Sequence, residues 1–277
     1  MDGIIIINKE KGLTSRDVVN LVGKKLNTRK VGHAGTLDPM ATGVLVIGVG
    51  KGTKVLDLLT MDTKEYIATA KVGIETDTYD ITGNVLKTET NYKLEKDLLE
   101  NTLNTFLGSY NQVVPKYSAV KINGKKLYEY ARNNLEVTLP ERLVTIYKIE
   151  LLNYSQDEFT FKVLVSKGTY IRSLVHDIGV RLNIPMTLKE LVRTKSGKFE
   201  LKNSNYLNDD YDFIKIQDAL DYPKVIIKDL NMLKRVKNGN SLKLDENSLY
   251  LTILDDKFNI IAIYKKEKLE YKAFKVF

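Results

Sequence analysis

The stretch GHAGTLDPMATGVLVIGVGKGTK, Gly32 to Lys54, places glycine turns, a proline and an apolar run around a single aspartate, Asp38. Residues 43–49 are continuously apolar, which predicts a buried strand. The preceding loop admits two interpretations. In the first, the glycines form turns that Asp38 caps, because Pro39 favours extended backbone in the residue before it. In the second, the small residues let the backbone approach a flat ligand, and Asp38 performs covalent or acid–base chemistry.

A third interpretation rests on the end of the stretch, GVGKGTK, which resembles a nucleotide phosphate loop. The full phosphate-loop pattern requires a glycine five residues before the Gly-Lys pair, and a serine or threonine after the lysine. This sequence has Leu45 at the first of these positions and Gly52 at the second. The pattern therefore argues against a nucleotide cofactor.

The composition favours a protein with a substantial core and a polyanionic partner. The 277 residues are 43% hydrophobic and carry 43 Lys and Arg against 35 Asp and Glu, a formal net charge of +8. A surplus of this size fits nucleic-acid binding without establishing it. The sequence has no cysteine and two histidines, which excludes disulfides, thiolate catalysis and cysteine-ligated zinc. We therefore expect no metal.

The first residues, MDGIIIINKEKG, contain an apolar run of four residues. Such a run is too short for a signal peptide or a membrane helix, so it is interpreted as a buried strand. The expected location is the cytoplasm, without membrane association.

Strand and helix patterns are interspersed without strict β-α-β alternation, which predicts an α+β fold. Strands are predicted at 3–8, 43–49, 64–73, 142–154 and 159–166. Helices are predicted at 14–27, where Thr14 and Asp17 have capping-box spacing, and at 54–60, 92–108 and 170–184. A short strand is predicted before the turn Asn123-Gly124, and a basic, tyrosine-bearing helix after it.

A carboxylate nucleophile needs a cation to orient it. The apolar stripe of the helix predicted at 170–184 leaves out Arg172, which makes this arginine a candidate partner for Asp38. The alternative is an ordinary surface arginine on an amphipathic helix, and spacing does not decide between the two.

The composition changes near residue 203, where a polar, acidic and aromatic segment runs to Pro223. We interpret this segment as the connection to a small unit whose strands are separated by turns. The predicted organisation is a larger catalytic domain at 1–222 followed by an all-β domain at 223–277.

Taken whole, the 32–54 stretch resembles the signature of the TruB family of pseudouridine synthases, which isomerise the uridine at position 55 of tRNA. Four further segments resemble the family's tyrosine motif, RNA-binding insertion, arginine motif and following strand: KEYIATAKVGIETDTYDITG (64–83), VPKYSAVKINGKKLYEYAR (114–132), SKGTYIRSLVHDIG (166–179) and LKELVRTKSGKF (188–199). The opening segment IIIINKEKGLTSRDVV (4–19) also resembles the usual start of the family, with Glu10 at a position where a proline is common. The resemblance covers residues 3 to about 200 in order, and VKNGNSL (236–242) is the best local match to a PUA-type RNA-binding barrel.

The resemblance implies a mixed, largely antiparallel sheet flanked by helices, and it assigns roles to single residues. Asp38 matches the catalytic aspartate, Arg172 would pair with it, and Tyr66 would stack on the flipped uracil and move a proton late in the reaction. Contacts to the target nucleotide are implied for His33, Tyr170 and Leu191. Without the resemblance, Tyr66 fits a strand tyrosine facing inward, His33 a structural histidine and Leu191 a core leucine.

The resemblance also implies an RNA-binding insertion at about 118–137. Its basic residues alternate with tyrosines, which suits contact with phosphates and bases, whereas the alternative is a solvated helix face. Further substrate contacts are expected from Lys9, Lys121, Lys125, Lys126 and Arg132.

The implied reaction breaks the N1–C1′ bond of uridine, rotates the uracil and joins C5 to C1′, so it needs no cofactor. Asp38 would attack the base, attack the sugar carbon or remove the 2′ proton, and the sequence does not choose between these routes. The expected partner is the T-arm of tRNA, bound by a monomer. Two other classes of function stay open, an RNA-binding chaperone that remodels tRNA and a phosphate-loop hydrolase.

Overall fold

The structure is a computed structural model that describes residues 1–133 and 135–277. The helices are α1 (Ser15–Lys25), α2 (Leu56–Thr60), α3 (Lys96–Asn104), α4 (Leu127–Arg132), α5 (Ile171–Leu182), α6 (Ile216–Ala219) and α7 (Leu230–Lys237). The strands are β1 (Gly3–Lys9), β2 (Val31–Ala34), β3 (Thr42–Val49), β4 (Lys64–Val72), β5 (Ile74–Thr76), β6 (Val85–Thr88), β7 (Gly108–Val113), β8 (Lys121–Ile122), β9 (Lys125–Lys126), β10 (Glu141–Tyr154), β11 (Glu158–Val165), β12 (Met186–Ser196), β13 (Phe199–Glu200), β14 (Lys224–Ile226), β15 (Tyr250–Leu254), β16 (Ile260–Glu267) and β17 (Glu270–Val276). Within the described residues, no helix has the length and apolar character needed to cross a membrane.

Nine strands form the main sheet, in the order β1-β3-β12-β4-β11-β10-β7, with β2 paired to β3 and β13 paired to β12. All of these pairs are antiparallel except β3 with β12, which is parallel. The burial of β4 alternates residue by residue, as its sequence predicts for a strand with two different faces. The predicted α+β class and the mixed, largely antiparallel sheet are confirmed.

The parallel contact between β3 and β12 requires glycine at residue 43. Gly43 lies opposite Arg193 in the register, and its φ is +101°, in the region that favours glycine. A Cβ atom at this position would lie 2.3 Å from the Arg193 carbonyl oxygen. The loop that carries Asp38 joins β2 to β3, so it enters the centre of the sheet at this close contact.

Both faces of β1 are covered, which explains its continuous apolar run. Ile5 and Ile7 pack in one apolar cluster with Val18 and Val22 of α1. Ile4 and Ile6 belong to a cluster on the other side, together with residues of α2, α6 and β16. The capping box predicted at the start of α1 is present, with Thr14 and Asp17 bonded reciprocally.

Helix α3 is shorter than the predicted 92–108. The residues before it are held by tertiary hydrogen bonds instead of helical ones. The Gln156 side chain accepts from the Leu94 amide at 3.0 Å and donates to the Leu94 carbonyl at 2.8 Å. Gly108, expected to end the helix, instead begins β7 with a φ of +95°. The 54–60 helix is also divided, since residues 50–55 form a 3-10 turn and only α2 follows it.

The C-terminal residues form a second sheet in the order β14-β15-β16-β17. The region is rich in strands, as predicted, but it is not all-β, because it contains α7. The Asp229 carboxylate caps this helix by accepting from the Met232 amide at 2.7 Å. The segment from residue 203 is more than a connection, since Asn205 and Ile214 bond to the edge of β1. The division of the chain at residue 223 stays a prediction.

Candidate active site

The loop between β2 and β3 holds Asp38 on a fixed backbone. The buried Ser15 hydroxyl donates to the Leu37 carbonyl at 3.1 Å and accepts from the Leu37 amide at 2.9 Å. The Gly12 amide donates to the Pro39 carbonyl at 2.8 Å. The start of α1 and the segment before it therefore hold the residues on both sides of Asp38.

Arg172 lies in the first turn of α5, and two of its nitrogen atoms contact the Asp38 carboxylate. Its Nε is 2.9 Å from Oδ2, and its Nη2 donates to Oδ1 at 3.2 Å. The arginine side chain is 5% exposed and the aspartate side chain 35% exposed. The Nη2 hydrogen bond and the ion-pair contact at Nε orient the carboxylate, although Nε–H makes no hydrogen bond among the described residues, and part of the carboxylate stays open to solvent.

The remaining partners of Arg172 come from two other segments. Its Nη1 donates to the Thr78 carbonyl and its Nη2 to the Tyr117 carbonyl, each at 3.0 Å. A second carboxylate, that of the buried Asp80, lies 3.6 Å from Nη1. Asp80 is itself bonded by the amide and hydroxyl of Thr82. Sequence reasoning missed Asp80, although its position among threonines in the tyrosine motif indicates a polar turn.

Three of the predicted residues lie around this pair. Tyr66 on β4 and Leu191 on β12 are buried in one apolar cluster, which also contains Leu37, Met40 and Ala41 of the Asp38 loop. Tyr170 is half-buried directly before α5. The Gln112 side chain fixes it by accepting from its amide at 2.8 Å and donating to its carbonyl at 3.1 Å. The loop that carries Asp38 therefore packs, through Leu37 and Met40, in the same apolar cluster as Tyr66 and Leu191.

Lys9 does not lie where a substrate contact was expected. Its side chain is fully buried, because the end of β1 turns beneath the Asp38 loop. The ammonium donates to the carbonyls of Leu13 at 2.7 Å, Glu10 at 3.0 Å and Pro39 at 3.3 Å. Burial lowers the pKa of Lys9 to about 8, against the opposing effect of Asp38. Lys9 supports the Asp38 loop through its bond to the Pro39 carbonyl. This corrects the prediction that Lys9 contacts the substrate.

Arg193 holds the same loop from β12 and was also missed. It is 1% exposed, and it donates from Nε to the Val44 carbonyl at 2.7 Å and from Nη2 to the Gly35 carbonyl at 2.9 Å. A signal was available in the sequence, because strand alternation places Arg193 on the same inward face as Leu191.

His33 lies on β2 opposite Ile47 and is half-buried. Its pKa is lowered by burial and by the nearby charges of Arg16 and Arg193, which favours the neutral imidazole. Among the described residues, its buried Nδ1 has no hydrogen-bond partner. The predicted contact with RNA is not tested by this geometry.

The basic insertion connects to the site through Tyr117. The predicted turn at Asn123 and Gly124 is present, with φ values of +50° and +82°, and a second short strand, β9, pairs with β8 after it, before α4 begins. Residue 134, within the predicted 118–137 insertion, lies outside the described residues. Lys121, Lys125 and Arg132 are exposed, and Lys126 is half-buried with its ammonium 3.0 Å from the Tyr128 hydroxyl. The insertion therefore presents cations beside aromatic rings.

Comparison with known proteins gives consistent matches along the chain. The sequence model of the TruB family pseudouridylate synthase (N terminal domain) matches residues 23–171. The tRNA pseudouridine synthase B of Clostridium kluyveri is 42% identical over 100% of both chains. That of Mesoplasma florum is 40% identical over 96% of this chain and 94% of the relative.

Solved structures share the fold. A chain of a Cbf5–Nop10–Gar1 complex has a TM-score of 0.75 and 27% identity, over 99% of this chain and 84% of that chain. A chain of an H/ACA RNP bound to a substrate RNA containing 2′-deoxyuridine has a TM-score of 0.73 and 25% identity, with the same coverage. With the family model and the full-length relatives, these matches show that the chain belongs to the TruB family of pseudouridylate synthases.

Proposed function

We propose that this protein isomerises a uridine of tRNA to pseudouridine, at position 55 in the T-arm. The observation that carries the proposal is the Asp38 carboxylate, held by a buried arginine and open on one side. A carboxylate in this state is fixed in orientation and accessible to a flipped nucleotide. The names of the full-length relatives support tRNA as the substrate.

The proposed reaction keeps every atom of the base except one exchanged hydrogen. The N1–C1′ bond of uridine breaks, the uracil rotates, C5 bonds to C1′, the C5 proton leaves to solvent, and N1 takes up a proton. Asp38 acts on the base, on C1′ or on the 2′ proton, and all three routes use an oriented carboxylate. Arg172 is assigned to hold that carboxylate in one plane throughout.

The apolar and aromatic surface beside Asp38 is proposed as the pocket for the base. Tyr66 supplies a ring for stacking, and Leu191 and Tyr170 supply the walls. Stacking of about 1–3 kcal/mol per base offsets part of the free energy needed to extrude the nucleotide. His33 lies on β2, the strand before the Asp38 loop, and is proposed to contact the RNA next to the flipped base.

The exposed cations of the insertion are proposed to bind the tRNA backbone. Lys121, Lys125 and Arg132 project from the hairpin and α4, and the chain carries a net charge of +8. We propose that the protein acts in the cytoplasm as a monomer with the T-arm as its partner. The C-terminal region, with α7 and four strands, is proposed as a PUA-like RNA-binding domain.

The test is tritium release from an unmodified tRNA transcript labelled at C5 of uridine. The wild type should release tritium only when the transcript has uridine at position 55, and Asp38→Asn should release none while it still binds the transcript. Arg172→Met should lose rate far more than affinity. Substantial turnover by Asp38→Asn would refute the assignment of Asp38, and tight binding without release by the wild type would favour an RNA chaperone.

A further inference from the structure

Residues 76–82, here called the Asp80 turn, supply two of the groups that surround Arg172. The Thr78 carbonyl accepts from Nη1, and the Asp80 carboxylate lies beside the same nitrogen. Tyr79 lies between them with a φ of +61°, in the left-handed region that a residue with a large side chain rarely adopts. The backbone that presents both groups is therefore unfavourable by itself and must be held by contacts.

One set of contacts comes from β12. The Leu188 amide donates to the Tyr79 carbonyl at 3.0 Å, and the Ile81 amide donates to the Leu188 carbonyl at 2.8 Å. These bonds fix the backbone on both sides of Tyr79 and Asp80. They leave the Tyr79 side chain to be held by another element.

That element is α5, through His176. The Tyr79 and His176 rings are stacked with centroids 4.0 Å apart and an interplanar angle of 22°. His176 follows Arg172 by four residues, so both side chains lie on one face of the helix, one turn apart. Helix α5 thus contacts the Asp80 turn at two points, through the Arg172 guanidinium and through the His176 imidazole.

Two carboxylates and a lysine lie around the edge of the His176 ring. Nε2 lies 3.4 Å from Glu75 of β5, directly before the Asp80 turn, and Nδ1 lies 3.7 Å from Asp177 of α5. Lys87 lines the cavity next to the ring. The face of the imidazole therefore stacks on Tyr79 of the turn, and its edge lies near Glu75 of β5.

We propose that His176 is a positioning residue for the Asp38–Arg172 pair and acts through Tyr79. The stack holds Tyr79 in its left-handed conformation, which keeps the Thr78 carbonyl and the Asp80 carboxylate against the guanidinium. The inference rests on the proposed isomerisation for its kinetic consequence only. RNA binding depends on surfaces elsewhere, so loss of the stack should slow the chemical step and leave the affinity unchanged.

The test compares His176→Ala, His176→Phe and Tyr79→Ala, alone and as the double alanine variant, in single-turnover tritium release and in filter binding of the same transcript. We expect His176→Ala to lower the rate constant about tenfold or more, with the Kd within about twofold of the wild type. His176→Phe retains the stacked ring and should recover most of the rate. The double variant should be no slower than the slower single variant, because both changes remove one contact. Val180→Ala, at an exposed position one turn further along α5, is the matched control.

A second measurement does not depend on turnover. In ¹⁵N NMR spectra, the Arg172 Nη1–H signals should exchange with water faster in His176→Ala than in the wild type, because Nη1 is the nitrogen that contacts the Asp80 turn, and His176→Phe should restore their protection. Unchanged rate and unchanged exchange in His176→Ala would overturn the proposal, as would equal losses of rate and RNA affinity. If the wild type releases no tritium, the proposed function fails, and the exchange measurement alone decides on His176.

Discussion

At the scale of single residues, the site depends on buried cations that are bonded mostly to backbone carbonyls. Arg172 shares its donors between two carboxylates and two carbonyls, whereas Lys9 is bonded to carbonyls only. Burial of a charge is unfavourable unless hydrogen bonds replace its hydration. Lys64 on β4 is a third example, since its ammonium donates to the carbonyls of Thr60 and Asp62. These cations fix loops, and the protonation of the two lysines is linked to stability because burial lowers their pKa values.

The linkage predicts that stability rises with pH between about pH 8 and pH 9.5. Burial lowers the pKa of Lys64 to about 8, below the ordinary value of 10.5, and Lys9 behaves in the same way. In this range the unfolded chain binds more protons than the folded protein, so the free energy of unfolding increases with pH. Above about pH 10 the trend should reverse, because burial raises the pKa of Tyr110 and brings that of Tyr222 to about 12.

Urea unfolding at several pH values measures this slope. Lys64→Met should reduce it by up to about 1.4 kcal/mol per pH unit. Lys71→Met, on the other face of the same strand, controls for removal of a lysine from β4. An identical slope in Lys64→Met and the wild type would contradict the linkage.

At the scale of elements, the contact between β3 and β12 determines where the Asp38 loop can lie. The two strands run parallel there, and the loop joins β3 at the closest approach. Arg193 of β12 then reaches back to the Gly35 carbonyl, so one strand supplies both the packing partner and the hydrogen bond. The position of Asp38 is thus tied to a backbone contact that admits no side chain.

Gly43→Ala should therefore lower the free energy of unfolding by about 3 kcal/mol or more, because its Cβ would lie 2.3 Å from the Arg193 carbonyl oxygen. The matched control is Gly12→Ala, whose φ of +93° is similar but whose added Cβ meets no atom within 4 Å among the described residues. That variant should lose only about 1 kcal/mol, the cost of the left-handed backbone. Equal losses in thermal or urea unfolding would show that steric contact at Gly43 is unimportant.

Local patterns predicted most elements because their causes are local. The Thr14–Asp17 box and the alternation of β4 involve neighbours in the chain, and both are present. The errors have distant causes. Gln156 captures the residues that were predicted to begin α3, and Lys9 is buried because a loop thirty positions later in the chain covers it. Asp80 escaped notice for the same reason, since only the fold brings it to Arg172.

At the scale of the whole molecule, the insertion presents exposed cations at its tip and contacts the site at its base. Lys121 and Lys125 flank the tip of the β8–β9 hairpin and are exposed, while the Tyr117 carbonyl at the base of the insertion is bonded to Arg172. The exposed lysines can contact phosphates of the RNA, whereas the base of the insertion contacts Arg172 of the site. Affinity and catalysis are therefore expected to depend on different residues of one segment.

The variant Lys121→Gln/Lys125→Gln should weaken tRNA binding, with the slope of log Kd against log salt reduced by about 1–2. The single-turnover rate at saturating enzyme should stay close to that of the wild type. Lys93→Gln/Lys96→Gln, two exposed lysines near α3, is the charge-matched control. A salt slope that is the same for both double variants would place the RNA elsewhere.

The bond between Arg172 and Asp38 joins residues 134 positions apart in the chain. Closing so long a loop is slow in a sheet whose neighbouring strands are themselves distant in sequence. No early folding intermediate that lacks either α5 or the β2–β3 loop can contain the pair. The recovery of isomerase activity during refolding therefore reports the docking of α5 against the β2–β3 loop, a step that secondary-structure signals do not measure.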